Sequence, residues 1–176
     1  MPLFSSATPL NRAETGLLLG AAALFALAVW GPVLPASEHQ HAFADQRAWL
    51  GIPCALDVLS NLPFALAGVW GLVVLRGAVG LDGASRWLAA LFFSGLLCTA
   101  AGSMLYHGQP HDAGLLWDRL GMVLPVAGLL GLAATGRVSA RAGWAAAGVV
   151  LLAGPLAVAW WAHTGNLLPW AVVQLG

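Results

Sequence analysis

The sequence predicts an all-α protein, a polytopic bundle of transmembrane helices, from three observations. Of its 176 residues, 60% are hydrophobic and only 8% are charged, whereas soluble globular chains carry roughly 25% charged residues. The mean hydropathy is +0.82. The apolar residues also fall in blocks of about 20, which is the length of helix that crosses the hydrocarbon core of a bilayer. A lipid bilayer is therefore the expected surrounding of most of the chain.

Five blocks are long enough to span a membrane, and together they form one predicted integral membrane domain over residues 1–176. They lie near residues 15–34, 55–75, 87–107, 113–135 and 142–162. The first block follows Arg12 like a signal peptide, but it is longer than the apolar core of such a peptide and no small-residue cleavage site follows, so a retained helix is favoured. A sixth block, 167–176, is too short to cross.

The second block begins with three polar residues. Asp57, Ser60 and Asn61 are spaced to share one helix face. Pro63 follows them, removes a backbone donor and frees a carbonyl one turn earlier, so a kinked polar patch is expected. A carboxylate inside a span costs at least about 2.5 kcal/mol on insertion scales and therefore faces the bundle interior. For Ser60 and Asn61, hydrogen bonding between helices is the favoured interpretation.

The third and fourth blocks carry a second polar group. Ser103 and His107 are four residues apart near the end of the third block, so they share a helix face. Asp118 lies in the fourth block, and the short turn between the two blocks places Asp118 and Ser103 at one depth, roughly 8 Å into the helices. Ser103, His107 and Asp118 are therefore expected to converge.

Three kinds of site fit these three residues. A Ser–His–Asp triad is disfavoured, because side chains one turn apart point the same way and no G-x-S-x-G elbow surrounds Ser103. In a metal site, His107 is a ligand, Asp118 is a ligand or the base for a bound water, and Ser103 donates to a substrate carbonyl. In the third interpretation, the group is a hydrogen-bonded network that locks two helices together. Spacing alone ranks the metal site and the network equally.

The distribution of arginine predicts the orientation. Five arginines fall on one side of the predicted bundle and two on the other: Arg12, Arg76, Arg86, Arg137 and Arg141 against Arg47 and Arg119. The arginine-rich side is normally cytoplasmic, so the N-terminus is expected inside. All five histidines and most of the acids then lie towards the outer face. The net charge is zero and there is no lysine, which excludes the basic patch that nucleic-acid binding requires.

Several strings of the sequence together resemble the bacterial alkaline ceramidase-like membrane proteins. This family belongs to a superfamily of seven-helix membrane hydrolases that includes the alkaline ceramidases and the adiponectin and progestin receptors. The strings are FADQR at 43–47, GIP at 51–53, LSNLPF at 59–64, GSMLYH at 102–107 and WDR at 117–119. The resemblance runs from about residue 40 to the end of the chain.

The resemblance implies a zinc-dependent amidohydrolase that cleaves ceramide-like lipid amides to a fatty acid and a sphingoid base. It implies that His107 is a zinc ligand, that Ser103 stabilises the transition state and that Asp118 orients or deprotonates the zinc-bound water. A zinc-bound water has its pKa lowered towards about 7 and attacks as hydroxide. The implied partners are a lipid amide substrate and the bilayer of a bacterial inner membrane. The oligomeric state is left open.

The sequence departs from the family pattern in two places. Members of the family carry an H-x-x-x-H pair of zinc ligands on the last helix, and this sequence has none, so we expect a chain truncated before that helix, with His111, His163 or His41 as substitute ligands. The acidic residues before the second block are too few to support calcium. The alternative hypothesis is a noncatalytic membrane protein that binds lipid or signals and uses the polar group structurally.

Overall fold

A computed structural model describes residues 9–176 and confirms the all-α prediction. The described part of the chain forms seven helices and no β-strand beyond two isolated bridges. The helices are α1 (Arg12–Trp30), α2 (Ala55–Leu59), α3 (Leu62–Gly77), α4 (Gly83–Gly108), α5 (Asp112–Arg137), α6 (Ala140–Thr164) and α7 (Leu168–Leu175). Five segments are long and apolar enough to cross a membrane, with α2 and α3 counted as one. This architecture is compatible with an integral membrane protein.

The second block is interrupted where the kink is expected, and it is divided there into α2 and α3. Ser60 Oγ donates a hydrogen bond of 2.7 Å to the carbonyl of Asp57, and Asn61 Nδ2 donates one of 2.9 Å to the same carbonyl. These side chains satisfy a carbonyl that the interrupted helix leaves without an amide donor. The interpretation of Ser60 and Asn61 as links between helices is therefore wrong, since both bond within their own segment.

The helices pack mainly in chain order. α3 lies on α4, α4 on α5, and α5 on α6, while α7 packs on α6 and α1 on α7. The largest apolar core lies where α4, α5, α6 and α7 meet: Leu88, Val123, Ala127, Ala147, Val150, Ala157, Val158 and Trp170. We call the end with turns 109–111 and 165–167 the histidine end, and the opposite end the arginine end.

Close contact between α4 and α5 depends on glycine. A Cβ atom added at Gly102 would lie 2.5 Å from the carbonyl oxygen of Trp117, and one added at Gly121 would lie 2.7 Å from that of Cys98. At the same seam, Thr99 Oγ1 donates a 3.1 Å hydrogen bond to the carbonyl of Gly121. Small residues allow the two backbones to approach, as in other membrane helix pairs.

The first helix is attached at its two ends. At the arginine end, the carboxylate of Glu14 accepts hydrogen bonds from Ser139 (2.7 Å) and Arg141 (2.5 Å). At the histidine end, the carbonyl of Leu34 accepts a 2.7 Å hydrogen bond from the amide of Leu167. Between these points only 6% of the α1 span is buried, so most of its apolar surface is left for lipid.

Candidate functional site

The predicted meeting of Ser103 and Asp118 is confirmed. Ser103 lies in the last two turns of α4 and Asp118 in the second turn of α5, with 6% and 9% of their surfaces exposed. Ser103 Oγ donates a hydrogen bond to Asp118 Oδ1. The glycine contact at Gly102 lies directly beside this pair, because its missing Cβ would also approach Cα of Asp118 at 3.2 Å. Close backbone packing and the buried polar pair therefore belong to one helix interface.

His107 lies near this pair in sequence, but its ring packs against the loop that precedes α2. Its ring centroid is 4.7 Å from that of Phe43 and 5.3 Å from that of Tyr106. Its Nδ1 is buried and has no hydrogen-bond partner among residues 9–176. Ser103 donates its hydrogen bond to Asp118 and not to His107, so a Ser–His–Asp triad is not formed.

The three histidines expected as substitute zinc ligands are not gathered around His107. His111 caps the start of α5, where its Nδ1 accepts a 2.8 Å hydrogen bond from the amide of Gly114. His163 is exposed in the last turn of α6. His41 lies between Tyr106 Oη and Asp112 Oδ1, each at 3.0 Å from a ring nitrogen. Among the described residues there is no group of three or more His, Cys, Asp or Glu side chains placed to hold a metal ion.

The loop before α2 covers the histidine end of α4. Tyr106 is buried and its hydroxyl donates a 2.8 Å hydrogen bond to the carbonyl of Gln40 while it contacts His41. Phe43 packs edge-on against the Tyr106 ring at 5.5 Å. Sequence reasoning missed the role of Tyr106, although it is the single tyrosine of the chain and precedes His107.

The same loop carries an ion pair between the exposed Arg47 and the half-buried Asp45. Arg47 Nε donates a 2.6 Å hydrogen bond to Asp45 Oδ1. This hydrogen bond holds the pKa of Asp45 below its ordinary value and raises that of Arg47. One carboxylate oxygen of Asp45 is therefore already bonded to the neighbouring arginine.

Arg119 was counted among the arginines of the outer side, but it does not lie in a loop. It lies inside the bundle on α5 with 7% of its surface exposed. Its guanidinium carbon is 3.7 Å from the centroid of the Trp161 ring on α6, which is a cation–π contact. Its Nη1 is buried without a hydrogen-bond partner in the described chain. The sequence contained Arg119 in its WDR string, but nothing local indicated burial or the partner from α6.

Comparison of the chain with protein-family models, with curated proteins and with solved structures gives no match. The class of protein is therefore defined by the fold and the site alone. The chain is an all-α bundle with five helices of membrane-spanning type, and a buried serine–aspartate pair joins two of them near the histidine end.

Proposed function

We propose that this protein is an integral membrane hydrolase of lipid amides, of the alkaline ceramidase type. The observation that supports it is the hydrogen bond between Ser103 and Asp118 inside the bundle. A carboxylate within a span is costly, and such residues usually serve a substrate or ion pathway. The distribution of arginine favours the arginine end in the cytoplasm and the site towards the outer face, and the resemblance to bacterial proteins favours a bacterial inner membrane.

The two residues have complementary chemical roles in this proposal. Asp118 accepts from Ser103 through Oδ1, and its other oxygen is the general base that takes a proton from water. The water oxygen then bonds to the acyl carbon, the amide C–N bond breaks, and the proton leaves with the amine. Ser103 donates to the carbonyl oxygen as it becomes an oxyanion, once its hydroxyl turns away from Asp118.

Zinc is part of the proposal through His107. A bound zinc ion supplies a Lewis acid and lowers the pKa of its water. His107, with its buried Nδ1 lacking a partner, and Asp118 are the residues that would hold it. The fit is incomplete, because His107 packs on Phe43 and the described residues contain no group of three or more His, Cys, Asp or Glu side chains placed to hold a metal ion.

A noncatalytic lipid-binding or signalling protein is the second candidate. The observation that favours it is that Ser103 and Asp118 share their interface with Gly102 and with the hydrogen bond from Thr99 to Gly121. All of these contacts hold α4 to α5. A buried polar pair in such a seam stabilises helix association without any chemistry.

One experiment separates the two candidates. The purified full chain in detergent is assayed for bound zinc and for release of labelled fatty acid from a fluorescent ceramide, with His107→Ala and Asp118→Asn as variants. The matched control is His39→Ala, because His39 is an exposed histidine of the loop. The enzyme proposal expects zinc in the wild type and its loss in His107→Ala. It also expects at least about 100-fold slower hydrolysis in Asp118→Asn.

A wild-type chain that is folded by circular dichroism, yet neither binds zinc nor releases fatty acid when zinc is supplied, would contradict the enzyme proposal. The second candidate then accounts for the pair, and Ser103→Ala is expected to loosen α4 from α5 without any catalytic consequence.

A further inference from the structure

Arg119 is a buried cation in an apolar environment. It lies seven residues after the start of α5 at Asp112, or about 10 Å along the helix axis. A helix of 26 residues is about 39 Å long, longer than the hydrocarbon core of about 30 Å. With α5 centred on the core, the Cα atom of Arg119 lies about 6 Å below the headgroup level, where charged side chains are rare and usually functional.

No carboxylate of the described bundle neutralises this cation by direct contact. The ion pairs within residues 9–176 are His41–Asp112, Arg47–Asp45 and Arg141–Glu14, and none of them includes Arg119. The adjacent carboxylate of Asp118 accepts its hydrogen bond from Ser103 instead. Asp118 is next to Arg119 in sequence, so its negative charge partly balances the guanidinium. The buried Nη1–H group of Arg119 still has no acceptor among the described residues.

The contact with Trp161 determines which part of Arg119 is available. The indole covers one face of the guanidinium at 3.7 Å. A cation–π contact uses the face, and the N–H donors lie in the plane of the group and point outward from its edge. That edge matches two oxygens of a carboxylate or a phosphate. A buried guanidinium fixed by stacking and lacking an acceptor is arranged to receive an oxyanion.

The surroundings indicate that the oxyanion arrives with acyl chains. Trp160 directly precedes Trp161, and Trp117 lies two residues before Arg119; their exposed fractions are 54% and 64%. Both indoles face outward, where lipid lies in a bilayer. α5 and α6 therefore both face lipid at the level of Arg119 and Trp161, and below the headgroup level a small free anion is strongly disfavoured.

We propose that Arg119, stacked on Trp161, is a binding subsite for the oxyanion of an anionic lipid, a carboxylate or a phosphodiester. The subsite is separate from the Ser103–Asp118 pair and does not depend on zinc or on hydrolysis. It gives a purpose to a buried cation that otherwise only destabilises the bundle.

The test measures ligand binding to the purified full chain in dodecyl maltoside micelles at pH 8 with EDTA present. The probes are oleate, dioleoylphosphatidylglycerol, oleyl alcohol and acetate, and the readouts are the dissociation constant and the thermal midpoint. We expect oleate or the phosphatidylglycerol to bind and raise the midpoint. Arg119→Met is expected to bind that lipid at least tenfold more weakly, and its midpoint without ligand is expected to equal or exceed that of the wild type.

Arg47→Met is the matched control, because it removes the same charge from an exposed position, and it is expected to bind like the wild type. Should Arg119→Met fail to fold, Arg119→Lys keeps the charge but loses the paired N–H donors, so weaker binding at an unchanged midpoint supports the subsite. Binding of oleate alone identifies a carboxylate, and of phosphatidylglycerol alone a phosphodiester. The proposal is overturned if oleyl alcohol or acetate binds as tightly, or if both Arg119 variants bind like the wild type.

Discussion

Glu14 and Arg141 form an ion pair of 2.5 Å that joins the first turn of α1 to the first turn of α6, although they are 127 residues apart. Ser139 adds a second hydrogen bond to the same carboxylate. Because most of the α1 surface is exposed, this ion pair, the contact of Leu34 with Leu167 and the packing of α1 on α7 hold the helix in place.

Removing the charge of Glu14 is therefore expected to release the arginine end of α1. In Glu14→Gln, amide hydrogens in the first turns of α1 should exchange about tenfold faster than in the wild type, because local opening no longer breaks an ion pair. Exchange in α4 and α5 should be unchanged. Glu38→Gln is the control, since Glu38 is an exposed acid in the loop. Equal exchange in wild type and Glu14→Gln would show that the ion pair does not hold α1.

A methyl group at Gly102 is expected to separate α4 from α5. Gly102→Ala places its Cβ 2.5 Å from a backbone carbonyl oxygen that cannot move alone, so we expect a loss of about 1–3 kcal/mol of stability in detergent. Gly148→Ala is the matched control, because no atom lies within 4 Å of its Cβ position. It should be neutral or gain up to about 1 kcal/mol from higher helix propensity. Equal midpoints for the two variants would argue against the close seam.

The hydrogen bond between Ser103 and Asp118 is expected to couple their mutations. Ser103→Ala removes the donor and leaves a buried carboxylate without a partner, which should cost about 1–3 kcal/mol. In the Asp118→Leu background, Ser103→Ala should reduce the stability much less, because no buried carboxylate then loses its hydrogen-bond donor. A double-mutant cycle on thermal or denaturant unfolding measures this coupling. Additive effects would mean that the two side chains do not interact.

Tyr106→Phe is expected to loosen the loop over α4 while the aromatic packing on Phe43 is kept. The variant loses the hydrogen bond to the Gln40 carbonyl and the contact with His41, together worth about 1–2 kcal/mol. Protease cleavage within residues 37–47 should become faster, with α5 and α6 unaffected. Tyr106→Leu, which also removes the ring, should accelerate cleavage further; a wild-type rate in Tyr106→Phe would assign the docking to packing alone.

The start of α4 is expected to be acid-sensitive. Asp82 caps this helix, and the hydrogen bond from the Ser85 side chain, followed by backbone N–H groups, lowers the pKa of Asp82 below its ordinary value of 3.8. Because the folded pKa is depressed, the stabilisation is complete above that ordinary value and is lost as the pH falls through the lower folded pKa. The protection of amide hydrogens in the first turn of α4, measured relative to their intrinsic exchange rates, should therefore fall on acidification in the wild type but not in Asp82→Asn, which caps without titrating.

Sequence reasoning succeeded where the structure depends on local geometry. The rise of 1.5 Å per residue and the short turn before α5 were enough to place Ser103 and Asp118 at one depth. Features set by contacts distant in sequence were missed, such as the stacking of Arg119 on Trp161 and the attachment of Glu14 to Arg141. The interruption of the second block was expected from Pro63, but the bonding of Ser60 and Asn61 within their own segment was not, since short polar side chains compete with the helical backbone for the same carbonyl.

The seam between α4 and α5 also has a consequence for the order of assembly. Ser103 and Asp118 are only 15 residues apart, and the turn that joins their helices is short. A helical hairpin of this kind forms its contacts as soon as both segments are in the bilayer, because closing so small a loop costs little entropy. We expect Ser103 and Asp118 to be among the first residues of the bundle to meet during biosynthesis, before α6 or α7 is present.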